Sequence, residues 1–467
     1  MSSRKHIEII NPYLRRIGAI ADENKIEAYV VGGYVRDMLL GKDCHDIDIV
    51  VVGDGVGFAR KVADAFHIKN IVVYEKFGTA MLPLEDGKLE FVSAREEQYE
   101  AGSRKPSVQR ATLESDLSRR DFTINAIAAS INHKKFGELI DAFDGQKDLH
   151  HKLIRTPLEP QKTFDDDPLR MMRALRFASQ LQFTIDPVAL NAIKEMAARI
   201  SIVSQERISD EFMKILGSPK PSVGLLLLHQ TGLSKLMFPE LDQMVGVEQR
   251  KDYHHKDVFL HSLKVIDNIC AQTDNVWLRF TALVHDIAKP MTKAFKEDVG
   301  WTFHGHEDLG ARMMKSVFRR LRLPMDKLPY VEKLVRLHLR PMVLVSEVVT
   351  DSAVRRLLFE SGEEIDDLMK LCRADITSQN PQRVSRYLKN YDLVIQKMKE
   401  VEEKDRLRNW QPPVKGDEIM QVCMIPPGPI VGILKTMIEE AVLEGNIPNE
   451  HDAALEFLLK NKDKVLK

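Results

Sequence analysis

Apolar residues early in the chain recur at helical spacing. Ile7, Ile10, Leu14, Ile17 and Ile20 predict a helix over 1–24. The period then changes. Short, β-branched apolar runs at 28–31, 47–52, 71–74, 79–84 and 88–93 predict strands, with a helix near 56–66 between the second and third. Glu85-Asp86-Gly87-Lys88 has the turn chemistry of a hairpin joining the last two. From Asp166 onward the spacing is helical, and Pro157, Pro160, Pro168, Pro187, Pro219 and Pro221 fall near helix starts and connections. A stretch of mixed charge over 381–410 predicts one long helix, which Trp410-Gln411-Pro412-Pro413 ends before a small last module. No internal repeat or low-complexity segment interrupts the pattern. The reading is an α/β head over 1–155, followed by all-α segments over 156–250 and 251–380 and a helical tail over 381–467.

A chain of 467 residues is too long for one core, and this division answers that. The net charge of −1 gives no overall field toward a polyanion, so any contact with nucleic acid must come from local basic patches. Cys44, Cys270, Cys372 and Cys423 are scattered without a CxxC pair, which suits a reducing compartment. No apolar run reaches the roughly 18 residues of a membrane helix, and no apolar core follows Met1-Ser2-Ser3-Arg4-Lys5. The expected location is cytoplasmic, with no membrane partner.

Chemistry concentrates first in the head. The run Ala28-Tyr29-Val30-Val31 breaks into Gly32-Gly33-Tyr34-Val35-Arg36-Asp37, and a double glycine after a strand lets backbone amides approach a phosphate closely. Asp46 and Asp48, two apart on a predicted strand, point to one face and can hold a divalent metal. In Arg119-Arg120-Asp121-Phe122-Thr123-Ile124-Asn125-Ala126, paired guanidinium forks match phosphate oxygens while an acid orients them. Asp165-Asp166-Asp167-Pro168-Leu169-Arg170 places Pro168 in the first turn of a helix with the acids at its positive end, and Arg173 and Arg176 continue a basic stripe. In isolation, DxD is a structural pair, RRD a surface cap and the acids an N-cap. Their joint occurrence favours phosphate and metal chemistry. Glu90 on the 88–93 strand is either a third carboxylate beside the metals or a structural acid. The polar segment 96–118, with Gly102-Ser103-Arg104-Lys105-Pro106, reads as a mobile loop.

Together these motifs, in order from about residue 10 to 245, resemble the class II tRNA nucleotidyltransferase and bacterial poly(A) polymerase family. Asp141-x-x-Asp144-Gly145-x-x-Asp148-Leu149 is similar to that family's hinge between head and neck. Ser204-Gln205-Glu206-Arg207-Ile208 is similar to its helix-pinning segment. The resemblance implies a polymerase-β-like mixed sheet in the head, and Mg²⁺ on Asp46 and Asp48 as the catalytic pair. It implies phosphate and ribose contacts from Gly32, Gly33, Arg36, Arg119, Arg120, Asp121 and Asn125. It also implies base reading by Asp167 and Arg170, with Arg173 and Arg176 nearby. An aspartate at 166 stands where the family usually has glutamate. The implied activity is template-independent addition of CCA to tRNA from CTP and ATP. The alternatives are partial addition or poly(A) synthesis, and the lack of a long basic C-terminal extension weighs against the last.

A second constellation follows. His261, His285-Asp286, His304-x-His306, His338 and Asp375 punctuate helical stretches, and such groups are costly in a core unless a metal compensates them. With Gly305-His306-Glu307-x-x-Gly310-Ala311, the pattern is similar to the HD phosphohydrolase superfamily. That resemblance implies a metal set of His261, His285, Asp286 and Asp375, with His306 and His338 as further ligands. The metal would be a divalent ion (Ni, Mn, Fe, Co or Mg) acting on phosphate ends of RNA. His254 and His255 are left without a role. A rival of another class is an HD phosphohydrolase whose head only binds nucleotide. Tails like 381–467 occur in family members with an HD module, where they suit contact with the tRNA body.

Overall fold

The computed structural model describes residues 4–44, 46–75, 78–85, 87–98, 107–248, 257–298, 300–346, 350–378, 380–405 and 413–466. The chain separates into two compact units, Met1–Met237 and Phe238–Lys467.

In the first unit, helix α1 (Pro12–Glu23) is shorter than the apolar spacing predicts. Asn11 Oδ1 accepts from the Tyr13 amide at 2.9 Å and Pro12 occupies the first turn, so the helix starts there. Ile7 and Ile10 precede it: His6 bridges Glu138 at the sheet edge, Ile7 is buried, and Ile10 is 83% exposed. Next come β1 (Glu27–Val31), α2 (Gly33–Leu39), β2 (Asp46–Val52), α3 (Gly55–Ala65), β3 (Val72–Tyr74), β4 (Thr79–Leu84) and β5 (Gly87–Ser93), close to the five predicted runs and the predicted helix. The polar 96–118 segment is not a plain loop. It holds β6 (Arg95–Gln98) paired antiparallel with β7 (Ser107–Arg110), then α4 (Leu113–Ser118). Residues 102–106 lie outside the described residues.

Two short strands escaped the periodicity, β8 (Ala128–Ser130) and β9 (Leu139–Ile140). They complete a seven-stranded mixed sheet of order β3-β4-β5-β2-β1-β8-β9. β2 sits inside it, antiparallel to β1 and parallel to β5, with Asp48 opposite both Val31 and Glu90. Alternation along β2 decides the faces. Ile49 lies opposite Phe91 of β5, and Phe91 meets Phe58 of α3 edge-on with centroids 5.8 Å apart. Burying such side chains stabilises this layer by about 2–3 kcal/mol each. On the other face, Val50 packs with Leu117 of α4, Ala126 and Ala128, and Asp46 and Asp48 continue that face toward the β2 N-terminus.

The rest of this unit is helical: α5 (Gly145–His151), α6 (Pro160–Asp166), α7 (Leu169–Leu181), α8 (Pro187–Met196) and α9 (Gln205–Leu216), with shorter helices beyond. A two-residue parallel ladder joins Leu153–Ile154 to Thr184–Ile185.

Among the described residues the second unit is helical apart from one antiparallel hairpin, Ala294–Lys296 with Gly300–Thr302, and an isolated bridge between Glu248 and Asp257. The long charged helix spans Pro381–Asp405. A last module of helices encloses Val414, Ile419, Leu434, Ile438, Ala454 and Leu458. Arg356 fastens it to the helix Asp351–Ser361 through Glu440 and Glu444 at 2.6 and 2.9 Å. Among the described residues, no helix is long and apolar enough to cross a membrane.

Two candidate active sites

The head site forms where β1 ends. Gly32 has φ +70° and ψ −135°, a conformation open to glycine, and it leads directly into α2. A Cβ at Gly32 would stand 3.1 Å from Arg120 Nη1 and 3.5 Å from Asp48 Oδ2. One bare backbone edge, one carboxylate and one guanidinium therefore meet at a point. Asp46 and Asp48 share a face of β2, and the parallel register sets Glu90 beside Asp48. Burial raises the Asp48 pKa, and although Arg120 opposes it, Glu90 and Asp46 add to the rise. Asp46 and Asp48 on one face of β2, with Glu90 opposite Asp48 on β5, put on one side of the sheet the kind of oxygen donors that a hard divalent cation takes.

The two arginines are oriented by an acid the sequence reading passed over. Asp116, fully buried on α4, pairs with Arg119 and receives Arg120 Nη2 at 3.1 Å. Burial pushes the Asp116 pKa up, yet the two guanidiniums hold it below the usual carboxylate range. Its place three and four residues before the arginines, on one helix face, was the available signal. Asp121, expected to orient the forks, turns instead to the neck. Its Oδ2 takes Arg173 Nη2 at 2.6 Å and Nε at 2.8 Å. Asn125 links Asp121 to Arg36, whose Nη1 donates to Asn125 Oδ1 at 2.8 Å, while Arg36 also forks onto Asp37. Gly33 lies against this group, 3.5 Å from Arg36 Nη2 at the position a Cβ would take. Arg176 is buried against Glu211 at 3.2 Å and packs on Phe177.

The hinge motif supports this floor. Asp141 accepts from the Gly145 and Gln146 amides at 2.7 and 2.9 Å, starting α5. Asp148 Oδ2 takes Thr123 Oγ1 at 2.6 Å and Arg155 Nε at 2.9 Å. Asp165 and Asp166 belong to α6, so of the three acids only Asp167 caps α7, accepting from the Leu169 amide at 3.2 Å. Arg207 on α9 reaches Asp167 at 3.4 Å. Arg170 donates to the backbone carbonyls of Arg119 at 2.7 Å and Thr163 at 3.3 Å.

The second site lies in the second unit, where four helix ends and one helix interior converge. His261 comes from Val258–Cys270, His285 and Asp286 follow Val276–Val284, His306 opens His306–Arg320, His338 follows Leu328–Leu337, and Asp375 follows Ile365–Ala374. Asp286 Oδ2 lies 3.5 Å from His261 Nε2 and 3.2 Å from His285 Nε2. Its Oδ1 lies 3.2 Å from His306 Nε2 and 3.7 Å from His338 Nε2. Asp375 Oδ1 is 2.8 Å from His261 Nε2. All six predicted ligands meet, and His304 stays exposed outside them.

Every Nδ1 is engaged elsewhere: His285 with Ala282 O, His306 with Phe303 O, His338 with Val335 O and His261 with Thr377 Oγ1, at 2.6–3.0 Å. That fixes the rings with Nε2 inward, as a metal requires. His285 Nε2 is buried with no hydrogen-bond partner. Burial disfavours a charged His285, yet Asp286 and Asp375 outweigh it and push its pKa up to about 10. Burial and the His285 charge push His338 down to about 3. The acids thus call for positive charge among the Nε2 atoms, which a divalent cation would supply.

The two sites define the class: a nucleotidyl-transfer head joined to a helical domain with a buried histidine–aspartate cluster. Comparison with known proteins agrees. The description "Poly A polymerase head domain" matches residues 28–155, "Probable RNA and SrmB- binding site of polymerase A" matches 182–245, and "HD domain" matches 258–378. An A-adding tRNA nucleotidyltransferase of Deinococcus radiodurans is 31% identical over 91% of this chain and 94% of its own. A multifunctional CCA protein of Dechloromonas aromatica is 32% identical over 76% and 84%. A CCA-adding enzyme solved with CTP superposes with a TM-score of 0.63 at 25% identity, covering 98% of this chain and 96% of that one. The chain belongs to the family of tRNA nucleotidyltransferases and bacterial poly(A) polymerases, and it is a nucleotidyltransferase with a fused HD domain.

Proposed function

We propose that this enzyme rebuilds tRNA 3′ ends in the cytoplasm, adding C, C and A from CTP and ATP without a template. The observation that carries the reading is the meeting of Asp48, Arg120 and the bare edge of Gly32 at the end of β1. Asp46 and Asp48, with Glu90 beside them, would hold Mg²⁺, which when bound activates an RNA 3′-hydroxyl and neutralises the triphosphate. Around it, the Gly32 and Gly33 amides and the guanidiniums of Arg119 and Arg120 bind phosphate oxygens. Asp167 accepts from the exocyclic amine of cytosine or adenine while Arg170 donates to the neighbouring ring nitrogen. Guanine and uracil present the reverse order and are refused.

The near full-length A-adding relative supports a second reading, addition of A alone, because ATP and CTP show this pair the same edge. The reading assigns 1–155 to catalysis, 156–250 to base reading and RNA contact, 251–380 to the HD centre and 381–467 to contact with the tRNA body. The imidazole-rich HD site suits a divalent transition metal and removal of 3′- or 2′,3′-cyclic phosphates from RNA. The deciding experiment incubates the protein with Mg²⁺, each nucleotide in turn, and tRNA ending before, within or after CC, and sequences the ends. Full CCA from CTP and ATP is expected. Extension only of tRNA ending in CC would establish A addition, and equal use of UTP or GTP would remove Asp167 and Arg170 from base reading.

A further inference from the structure

The carboxylate of Asp121 is saturated. Oδ1 accepts from the Phe122 amide at 2.8 Å and from Asn125 Nδ2 at 3.0 Å, and Oδ2 accepts from Arg173 Nε at 2.8 Å and Nη2 at 2.6 Å. Two oxygens with four donors have no acceptor site left for a nucleotide. The group is 7% exposed, so no route to a ligand is open without breaking these bonds. Asp121 nevertheless sits directly after the phosphate-binding Arg119 and Arg120, and its partner Arg173 lies one turn beyond Arg170 on α7.

A second tie runs parallel to it, from Arg170 Nη2 to the Arg119 carbonyl at 2.7 Å. Residues two apart in the head are thus tied to residues three apart on one face of the neck helix. Beyond Asp121 the chain of bonds continues through Asn125 to Arg36, beside Gly33.

We propose that Asp121 and Arg173 are positioning residues: their ion pair sets the height and angle of the base-reading helix face over the phosphate floor, and so controls which nucleotide is accepted. Chemistry at the α-phosphorus uses neither side chain. Phosphates held on the head and a base read from the neck report on each other only while the distance between the two elements is fixed. The proposal rests on Asp167 and Arg170 reading the base.

The test measures kcat and KM for ATP, CTP, UTP, GTP and 2′-deoxy-ATP on truncated tRNA. It uses the full-length wild type, Asp121→Asn, Arg173→Gln, Arg173→Lys and the Asp121→Asn/Arg173→Gln double variant. Loss of the pair is expected to lower preference for ATP and CTP over UTP and GTP by about 100-fold, the usual scale for a displacement near 1 Å. The loss should fall on kcat more than on KM, and the ATP to 2′-deoxy-ATP ratio should not move. Arg173→Lys should restore part of the selectivity, and the double variant should be no worse than either single one. Unchanged base selectivity in folded variants would overturn the proposal, as would a collapsed ribose preference, which would mean Asp121 contacts the sugar. If Asp121→Asn fails to fold, Arg173→Lys decides by the same two ratios. A wild type that takes all four bases would instead refute the base-reading assignment.

Discussion

At the scale of single residues, Gly32 and Asp121 carry the most. Gly32→Ala asks an L-residue to adopt φ +70° and ψ −135° with a methyl 3.1 Å from Arg120 Nη1. The backbone strain alone costs about 1–3 kcal/mol, and the methyl stands where a phosphate would approach. Nucleotide addition by this variant should fall at least about 100-fold, read as kcat/KM for ATP, while circular dichroism shows the fold retained. Asp121 makes a different prediction. Burial raises its pKa, but Arg173 and Asn125 more than reverse this and lower it to about 2, below the ordinary carboxylate range. A depressed carboxylate stabilises the fold fully above its unfolded pKa and loses that contribution as pH falls through its folded value. The pair's proton-linked contribution of about 2 kcal/mol should therefore be complete at pH 6 and shrink between pH 4 and 2. Urea unfolding of wild type and Asp121→Asn at pH 6 and pH 3 checks it: a gap that does not narrow at pH 3 would rule out the linkage.

At the scale of elements, most of the head was readable because its strands are apolar runs bounded by turn chemistry. β8 and β9 were not, since Ala128-Ala129-Ser130 and Leu139-Ile140 are too short to show alternation, and only pairing with β1 and with each other defines them. The start of α1 was misplaced because Ile7 and Ile10 fit helical spacing by chance, while Asn11-Pro12 held the true boundary. The role of Glu90 could not be settled from spacing, because it depends on the parallel register of β5 against β2. The HD cluster was legible as a cluster, since adjacent His and Asp with outlying His and Asp are costly in a core unless a metal compensates them, and the structure brings the six side chains together. The carbonyls that orient their rings carry no sequence signal at all. Those carbonyls make a prediction about the centre: rings preset with Nε2 inward bind metal as neutral imidazoles, so binding competes with protons. Chelation at neutral pH should lower the thermal midpoint of unfolding, and Mn²⁺, Co²⁺ or Ni²⁺ should restore it. A midpoint indifferent to chelator would mean these groups are satisfied without metal.

At the scale of the whole molecule, the question is whether two phosphate chemistries on one chain depend on each other. The two groups of side chains come from different units and differ in kind, carboxylates of β2 and β5 in Met1–Met237 and four imidazoles with two carboxylates in Phe238–Lys467. Oxygen donors and imidazole donors favour different ions, so each centre can be emptied without touching the ligands of the other. Replacing Asp46 and Asp48 together by alanine should abolish nucleotide addition, by about six orders of magnitude if metal-assisted charge stabilisation is lost outright, on the order of the ~8 kcal/mol that such enzymes supply. Hydrolysis of a 2′,3′-cyclic phosphate by the same variant should stay within about two-fold of wild type, because the two sites share no side chain. His285→Ala should give the mirror image, losing hydrolysis and bound transition metal while still extending tRNA. A tRNA ending in a 2′,3′-cyclic phosphate joins the two measurements, because its blocked end must be opened before any nucleotide can be added. Wild type should repair and extend it. Each variant should fail alone, and an equimolar mixture of the two should recover extension, since the opened RNA can pass through solution from one chain to the other. If the mixture stays inactive while each variant keeps its own partial reaction, the end must be handed over within a single chain, and the two units would have to be treated as one machine.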